Sequence, residues 1–314
     1  MTSLLGGIFL GWSLGANDAA NVFGTAVSSR MLKFWTAAIL GASFVLVGAL
    51  LEGQSGIETL RGLTSFTYDQ AIIASIAAAC TVTLMTLLGL PVSTSQAVVG
   101  AILGVGLLNR QLNFAGLGKV VVCWIGTPVG GTVLAVIIYK LLAAIVNRMN
   151  LNIFQSDSLA RLSLIAAGSY GAYALGANNV ANVTAVFVGA GMLSVSAAAL
   201  IGGLSIGLGI LTFSKRVMET VGKKLVRLDP FSAFVVVLAQ GVTVHIYALV
   251  GVPVSTSQAV IGAVLGVGII KGVNTIQRRT LVSIFLAWFV TPLIASIFAL
   301  ALDFVTHLHY IPSH

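Results

Sequence analysis

PVSTSQAVVGAILGVG, Pro91 to Gly106, returns 162 residues later as PVSTSQAVIGAVLGVG, Pro253 to Gly268. Fourteen of the sixteen positions are identical, and the two changes, Val99/Ile261 and Ile102/Val264, exchange β-branched residues. A second phrase is doubled at nearly the same distance: Gly15 to Asn21 reads GANDAAN and Gly176 to Asn182 reads GANNVAN, 161 apart. Trp124 with Thr127-Pro128 is echoed by Trp288 with Thr291-Pro292. The chain therefore reads as two copies of one plan, residues 1–146 and 162–314, with a short join at 147–161. Polar, Gly- and Pro-interrupted phrases at matching places in two apolar halves point to the substrate site of a transporter.

Composition sets the solvent. Of 314 residues 58% are hydrophobic and only 8% charged, and mean hydropathy is +1.05. A soluble domain carries about 25% charged residues, so this chain lacks the polar surface to face water. Runs such as Phe34–Leu51 and Val120–Tyr139 approach the roughly 20 apolar residues that span a bilayer. The expectation is an all-α polytopic membrane protein, since nothing alternates in the way a transmembrane barrel requires. The net charge of +8 comes from loop residues and reads as topology, not nucleic-acid binding. Cys80 and Cys123 lie in apolar segments with neither metal-ligand spacing nor a disulfide pattern. No basic n-region marks a signal peptide at the N-terminus.

Aligned on the repeats, helical pieces are expected near 2–14, 17–29, 34–51, 69–88, 94–108 and 119–146. The second half follows near 162–175, 178–190, 194–212, 230–249, 256–270 and 280–306. The GAN phrases are read as breaks within crossing helices. The segments 69–88 and 94–108 are read as a re-entrant helical hairpin folded at Gly89-Leu90-Pro91. Each half then crosses three times, which inverts the second repeat relative to the first. On that topology thirteen Lys and Arg side chains fall on one face, including Lys215, Arg216, Lys223, Lys224 and Arg227. Only Arg61, Arg110 and Lys119 fall on the other. The basic face is cytoplasmic by the positive-inside rule. Both termini are then extracytoplasmic, in a plasma (cell inner) membrane.

An anion inside a membrane needs hydrogen-bond donors and positive potential, and the start of a helix supplies both. Ser93-Thr94-Ser95 and Ser255-Thr256-Ser257 each follow a proline phrase and open an apolar helix, as N-cap residues do. These six are candidate substrate contacts, with Gln96 and Gln258 one step further as second-tier positions. Asp18 is the only acid within the first thirty residues, and intramembrane acids mark ion or substrate pathways. With Asn21 one turn on, and Asn179 and Asn182 in the other copy, it offers oxygen ligands suited to sodium. Asn17 and Asn178 complete the set on the substrate side. Neither polar phrase holds Lys or Arg, so anion charge must be balanced by helix ends and co-bound cations, which favours symport. A passive anion channel would leave Asp18 without a role, and no base or metal constellation suggests an enzyme. His245 is read as a packed histidine, and His307, His309 and His314 as solvent-facing.

GANDAANVFGTAVSS (Gly15–Ser29), its counterpart at Gly176 and the paired PVSTS phrases resemble the inorganic phosphate transporter (PiT) family of sodium/phosphate symporters. The resemblance covers essentially the whole chain and rests on four motif instances in order. It implies an inverted repeat and import of inorganic phosphate with sodium or protons as the coupling cation and no cofactor. It assigns Asn17, Asp18, Asn21, Asn178, Asn179 and Asn182 to cation and substrate binding, and the two Ser-Thr-Ser runs to phosphate. A homodimer in the bilayer fits the architecture. The chain departs from the family pattern at Ser95-Gln96 and Ser257-Gln258, where many members read Thr-His, and at Asn179, which replaces a second Asp. A sulfate or other tetrahedral-oxyanion permease coupled to protons is the alternative.

Overall fold

In the computed structural model the described residues are 4–87, 92–110, 112–224, 228–272 and 278–308. Among them every regular element is a helix: α1 Leu5–Ser28, α2 Phe34–Glu52, α3 Gln54–Arg61, α4 Tyr68–Leu87, α5 Thr94–Asn109, α6 Phe114–Val146, α7 Ile153–Gly189, α8 Val195–Lys224, α9 Pro230–Val250, α10 Thr256–Lys271 and α11 Arg278–Leu308. Six described helices contain stretches long and apolar enough to cross a membrane: α2, α4, α6, α8, α9 and α11. The chain is a multi-pass α-helical membrane protein. Along α6, Ile125, Val129, Ile137, Leu141 and Ile145 are exposed at spacings of one face of a helix, as a lipid-facing stripe requires.

Packing is reciprocal between the halves. α1 lies along α8, and its repeat counterpart α7 lies along α2. These pairs approach so closely that a β-carbon on Gly15 would stand 2.0 Å from the Ile206 carbonyl oxygen, and one on Gly176 2.0 Å from that of Val45. Likewise α5 packs on α11 and α10 on α6. There Gly100 abuts the Pro292 carbonyl and Gly262 the Pro128 carbonyl. Small residues that let backbones touch are the usual device of helix association in lipid, and here each half inserts into the other.

α9 and α10 form a re-entrant hairpin. Asp229 caps the start of α9 and pairs with Lys271 at the end of α10, so the chain enters and leaves at one place. Gly251, at φ 77°, turns the chain at the far end, and Ser255 caps α10. α4 and α5 repeat the arrangement, with Gln70 Nε2 donating to Asn109 Oδ1 at 2.7 Å across the mouth. The predicted fold point Gly89-Leu90-Pro91 lies outside the described residues. The two hairpins meet at their tips: Ser95 Oγ donates to the Val254 carbonyl at 3.0 Å, and Ser257 Oγ to the Val92 carbonyl at 3.3 Å.

One expectation is overturned. The GAN phrases do not break their helices: α1 runs unbroken through Gly15–Asn21 and α7 through Gly176–Asn182. Neither phrase contains proline, so every i→i−4 bond remains available, and the glycines serve close helix contact instead of a turn. Backbone carbonyls of the GAN phrases are therefore engaged within the helix, and their chemistry is carried by side chains. The breaks fall at the proline phrases. α3, a short amphipathic helix directly after α2, was also absent from the expected pieces.

Candidate functional site

α1, α7 and the two hairpin tips bring the polar phrases to one place. On α1 the Asp18 carboxylate is buried. It accepts Asn21 Nδ2 at 3.4 Å from its own helix and Asn179 Nδ2 at 3.1 Å from α7. Asn21 Nδ2 also reaches Thr256 Oγ1 at 3.4 Å, at the start of α10. Asp18, Asn21, Asn179 and Thr256 thus form one chain of contacts across both repeats. Asn17 lies beside Asp18 on α1 but is only half-buried.

On α7 the three asparagines do different work. Asn178 clamps the second tip, accepting Val254 N–H at 2.9 Å and donating to the Val254 carbonyl at 2.8 Å. A hairpin tip exposes backbone groups that must find partners inside a membrane, and this carboxamide satisfies both. Asn179 Oδ1 accepts from Asn178 and from Asn182, each at 2.9 Å. Asn182 also donates to Ser95 Oγ at 2.9 Å, at the start of α5. The carboxamides are thereby aligned in a row from the α10 tip to the α5 tip.

Both Ser-Thr-Ser runs are at helix starts. Ser93 and Ser255 accept the backbone N–H of Gln96 and Gln258 at 3.4 and 3.3 Å, as N-caps. Ser255 and Ser257 hydroxyls lie 2.9 Å apart. Ser95 and Ser257 donate across the tip junction and so lock the hairpins to each other. Thr94 Oγ1, Gln96 Oε1, Asn182 Oδ1 and Gln258 Oε1 are buried with no protein partner. Unsatisfied buried polar atoms are costly, and a ligand presenting complementary groups would relieve them. The repeat-related hydroxyls differ: Thr256 receives Asn21, whereas Thr94 receives nothing. No Lys or Arg is in this set, so positive potential comes from the first turns of α5 and α10. The single carboxylate and the ring of carboxamide and hydroxyl oxygens suit a hard monovalent cation.

On α9, one polar group escaped the sequence reading and another has more partners than that reading gave it. Gln240 on α9 is fully buried, and neither end of its carboxamide has a partner. Its oxygen lies beside Gly171 of α7, where Val22 of α1 also packs. His245, read as merely packed, bonds both Tyr170 and Glu52 at 2.7 Å. A signal existed in each case: 162 residues earlier stand Ala78 and Thr83, so a polar group appears where the other copy has none or a lesser one.

The sequence profile described as the Phosphate transporter family matches residues 14–299. The chain is 30% identical over 289 residues to a protein of Methanocaldococcus jannaschii named "Putative phosphate permease", covering 92% of each. It is also 30% identical over 301 residues to a "Sulfate permease" of Bacillus subtilis, covering 94% of this chain and 84% of that one. A solved structure, "The sodium-dependent phosphate transporter", has the same fold, with TM-score 0.88, 24% identity, and coverage of 98% of this chain and 100% of that one.

Proposed function

The chain belongs to the phosphate transporter family, a family of transporters and not enzymes, and on that premise we propose that it imports inorganic phosphate by sodium symport. The observation that carries the proposal is the meeting of two helix starts beside a lone buried carboxylate with no cationic side chain among them. In this reading the first turns of α5 and α10, with Ser93, Thr94, Ser255 and Thr256, hold the oxyanion. Asp18, Asn21, Asn179 and Asn182 hold sodium, whose charge makes anion entry affordable in a dry site. Each ligand favours the other, because the cation supplies the positive charge that Lys or Arg would otherwise provide.

The two repeats are proposed to be inverted about an axis in the membrane plane, so that the tip junction is near the midplane and is opened to either side in turn. Selection of phosphate over sulfate is assigned to Asp18, through a carboxylate oxygen that sodium leaves free. A monoprotonated phosphate carries a hydroxyl that a carboxylate accepts, and sulfate at neutral pH carries none. One observation favours a second reading: the equal identity to a sulfate permease, together with Asn179 in place of a second Asp, suits a sulfate permease.

The deciding experiment is uptake by purified protein in liposomes with an imposed sodium gradient, a proton gradient or neither, with excess unlabelled sulfate as competitor. Sodium-driven phosphate uptake that resists sulfate supports the proposal. Uptake blocked by the excess sulfate assigns the site to tetrahedral oxyanions generally. Uptake indifferent to every cation gradient overturns symport.

A further inference from the structure

Away from the tip junction, ionisable side chains from two helices, α2 and α7, converge on His245 of α9. Its Nε2 is 2.7 Å from Glu52 Oε2 at the end of α2, and its Nδ1 is 2.7 Å from the Tyr170 hydroxyl on α7. Tyr170 and Tyr173 both meet the imidazole edge-on, with ring centres 5.5 Å away. Glu52 in turn lines an open cavity of about 450 Å³ with Gln54, Ser55 and Glu58. Half-burying a carboxylate and an imidazole against each other costs desolvation that an apolar pair would avoid. The cluster therefore calls for a reason beyond packing.

We propose that the His245–Glu52 pair is a proton-binding site, distinct from the sodium and oxyanion pocket, whose occupancy sets how firmly the α9 arm is held to α2 and α7. The inference deepens the symport reading and rests on it. With the imidazole neutral, Nε2–H donates to the carboxylate and the Tyr170 hydroxyl donates to Nδ1. When one proton from the cavity water binds, an N–H bond forms at Nδ1 and the pair's net charge goes from −1 to 0. The Tyr170 hydroxyl then rotates from donor to acceptor, since a phenol can do either. Release reverses these changes. Both states leave the two imidazole nitrogens and the Glu52 carboxylate partnered, so the proton can come and go without orphaning a ring nitrogen.

Other titratable groups around the pair are few. α7 contributes Tyr170 and Tyr173. α3 contributes Glu58, which lines the same cavity and pairs with Arg61. From α6, Lys119 donates to the Val250 carbonyl, and Tyr247 of α9 is turned toward Gly126 of α6. The groups that touch the pair are thus hydroxyls and carboxylates. The link to the pocket is short. Six residues beyond His245, Gly251 turns the hairpin tip against Ser55 of the cavity wall, and Val254 is clamped by Asn178 on the helix that carries both tyrosines. A protonated pair is a full ion pair tying the arm in place, and a deprotonated one is a weaker hydrogen bond.

The test uses Glu52→Gln and His245→Gln in the full chain in liposomes, with phosphate and sulfate as probes. Two assays are compared: accumulation driven by an inward proton gradient, and one-for-one oxyanion exchange at equal pH and sodium on both sides. Exchange needs no net proton movement. The expected result is that both variants lose about tenfold or more of gradient-driven accumulation while exchange stays within about threefold of wild type. Wild-type transport that ignores the proton gradient overturns the inference and leaves symport standing, as do variants with an unaltered response. Exchange lost in parallel with accumulation assigns the cluster to packing and also overturns it. A wild type that moves neither oxyanion under any gradient overturns the symport reading itself.

Discussion

Asp18 holds two carboxamide donors, from α1 and α7, and is the one carboxylate at the tip junction. Asp18→Asn keeps the shape and removes the charge, so apparent sodium affinity is expected to fall on the order of a hundredfold, the equivalent of about 3 kcal/mol. The sodium dependence of phosphate uptake checks this, and a wild-type curve in the variant would count against a cation at Asp18. The two hydroxyls of the first tip should separate in the same assays. Thr94 Oγ1 has no protein partner, so Thr94→Ala is expected to weaken oxyanion binding by about five- to tenfold, roughly 1 kcal/mol, with the melting temperature unchanged. Ser95 instead donates to Val254, so Ser95→Ala should lower the melting temperature in detergent and change affinity less. Parallel losses in both variants would refute that division of labour. The residue types of this pocket were legible because they interrupt apolar sequence twice. Which hydroxyl locks a tip and which is left open was not, since that depends on a partner about 160 residues away. Gln240 and the partners of His245 were missed for a related reason, as each residue stands in one copy only.

Hairpin α9–α10 is closed at its mouth by Asp229, which caps α9 through Ser232 and pairs with Lys271. Burial pushes the Asp229 carboxyl up, but Lys271 and the Ser232 N–H and hydroxyl outweigh it and hold it at about 2, below its ordinary 3.8. Lys271 is held above its ordinary value, first by its bond to Asp229. A depressed carboxyl contributes stability above about pH 4 that is lost as pH falls toward 2. A raised ammonium contributes below its ordinary value and loses that contribution only as pH rises through the higher one. The penalty of Asp229→Ala, about 1–2 kcal/mol for cap and pair together, should therefore be constant between pH 5 and 9. Asp229→Asn keeps a good cap and should cost less than half of it. Thermal melts at several pH values check both, and a penalty that shrinks between pH 7 and 5 would contradict the assignment. The re-entrant hairpins could be read from Pro and Ser-Thr-Ser, which stop one helix and cap the next. Breaks at GAN were read from the same logic and were wrong, because glycine within an apolar helix can equally serve close contact, as Gly15 and Gly176 do.

Reciprocity joins these elements into a transporter. The hairpins meet at their tips through Ser95 with Val254 and Ser257 with Val92, and their mouths are marked by Asn109 and Lys271. The proposed inversion of the repeats has a direct consequence for labelling. Sequence could supply the repeat and the charge bias, but not the mutual insertion of α1 with α8 and α7 with α2, which exists only as contacts between distant segments. Replacement of Cys80 and Cys123 by Ala provides a background for single cysteines at exposed positions. Arg61→Cys and Arg110→Cys are expected to react with a membrane-impermeant maleimide on intact cells. Arg161→Cys and Lys215→Cys should react only after permeabilisation if the basic face is cytoplasmic, as the proposed topology has it. All four are exposed in the fold, so silence cannot be ascribed to burial. Parallel repeats would require α3 and the corresponding end of α8 to emerge on one side, and labelling of Arg61→Cys and Lys215→Cys together from outside would demand that arrangement. The labelling therefore tests the handedness of the repeat with one set of variants.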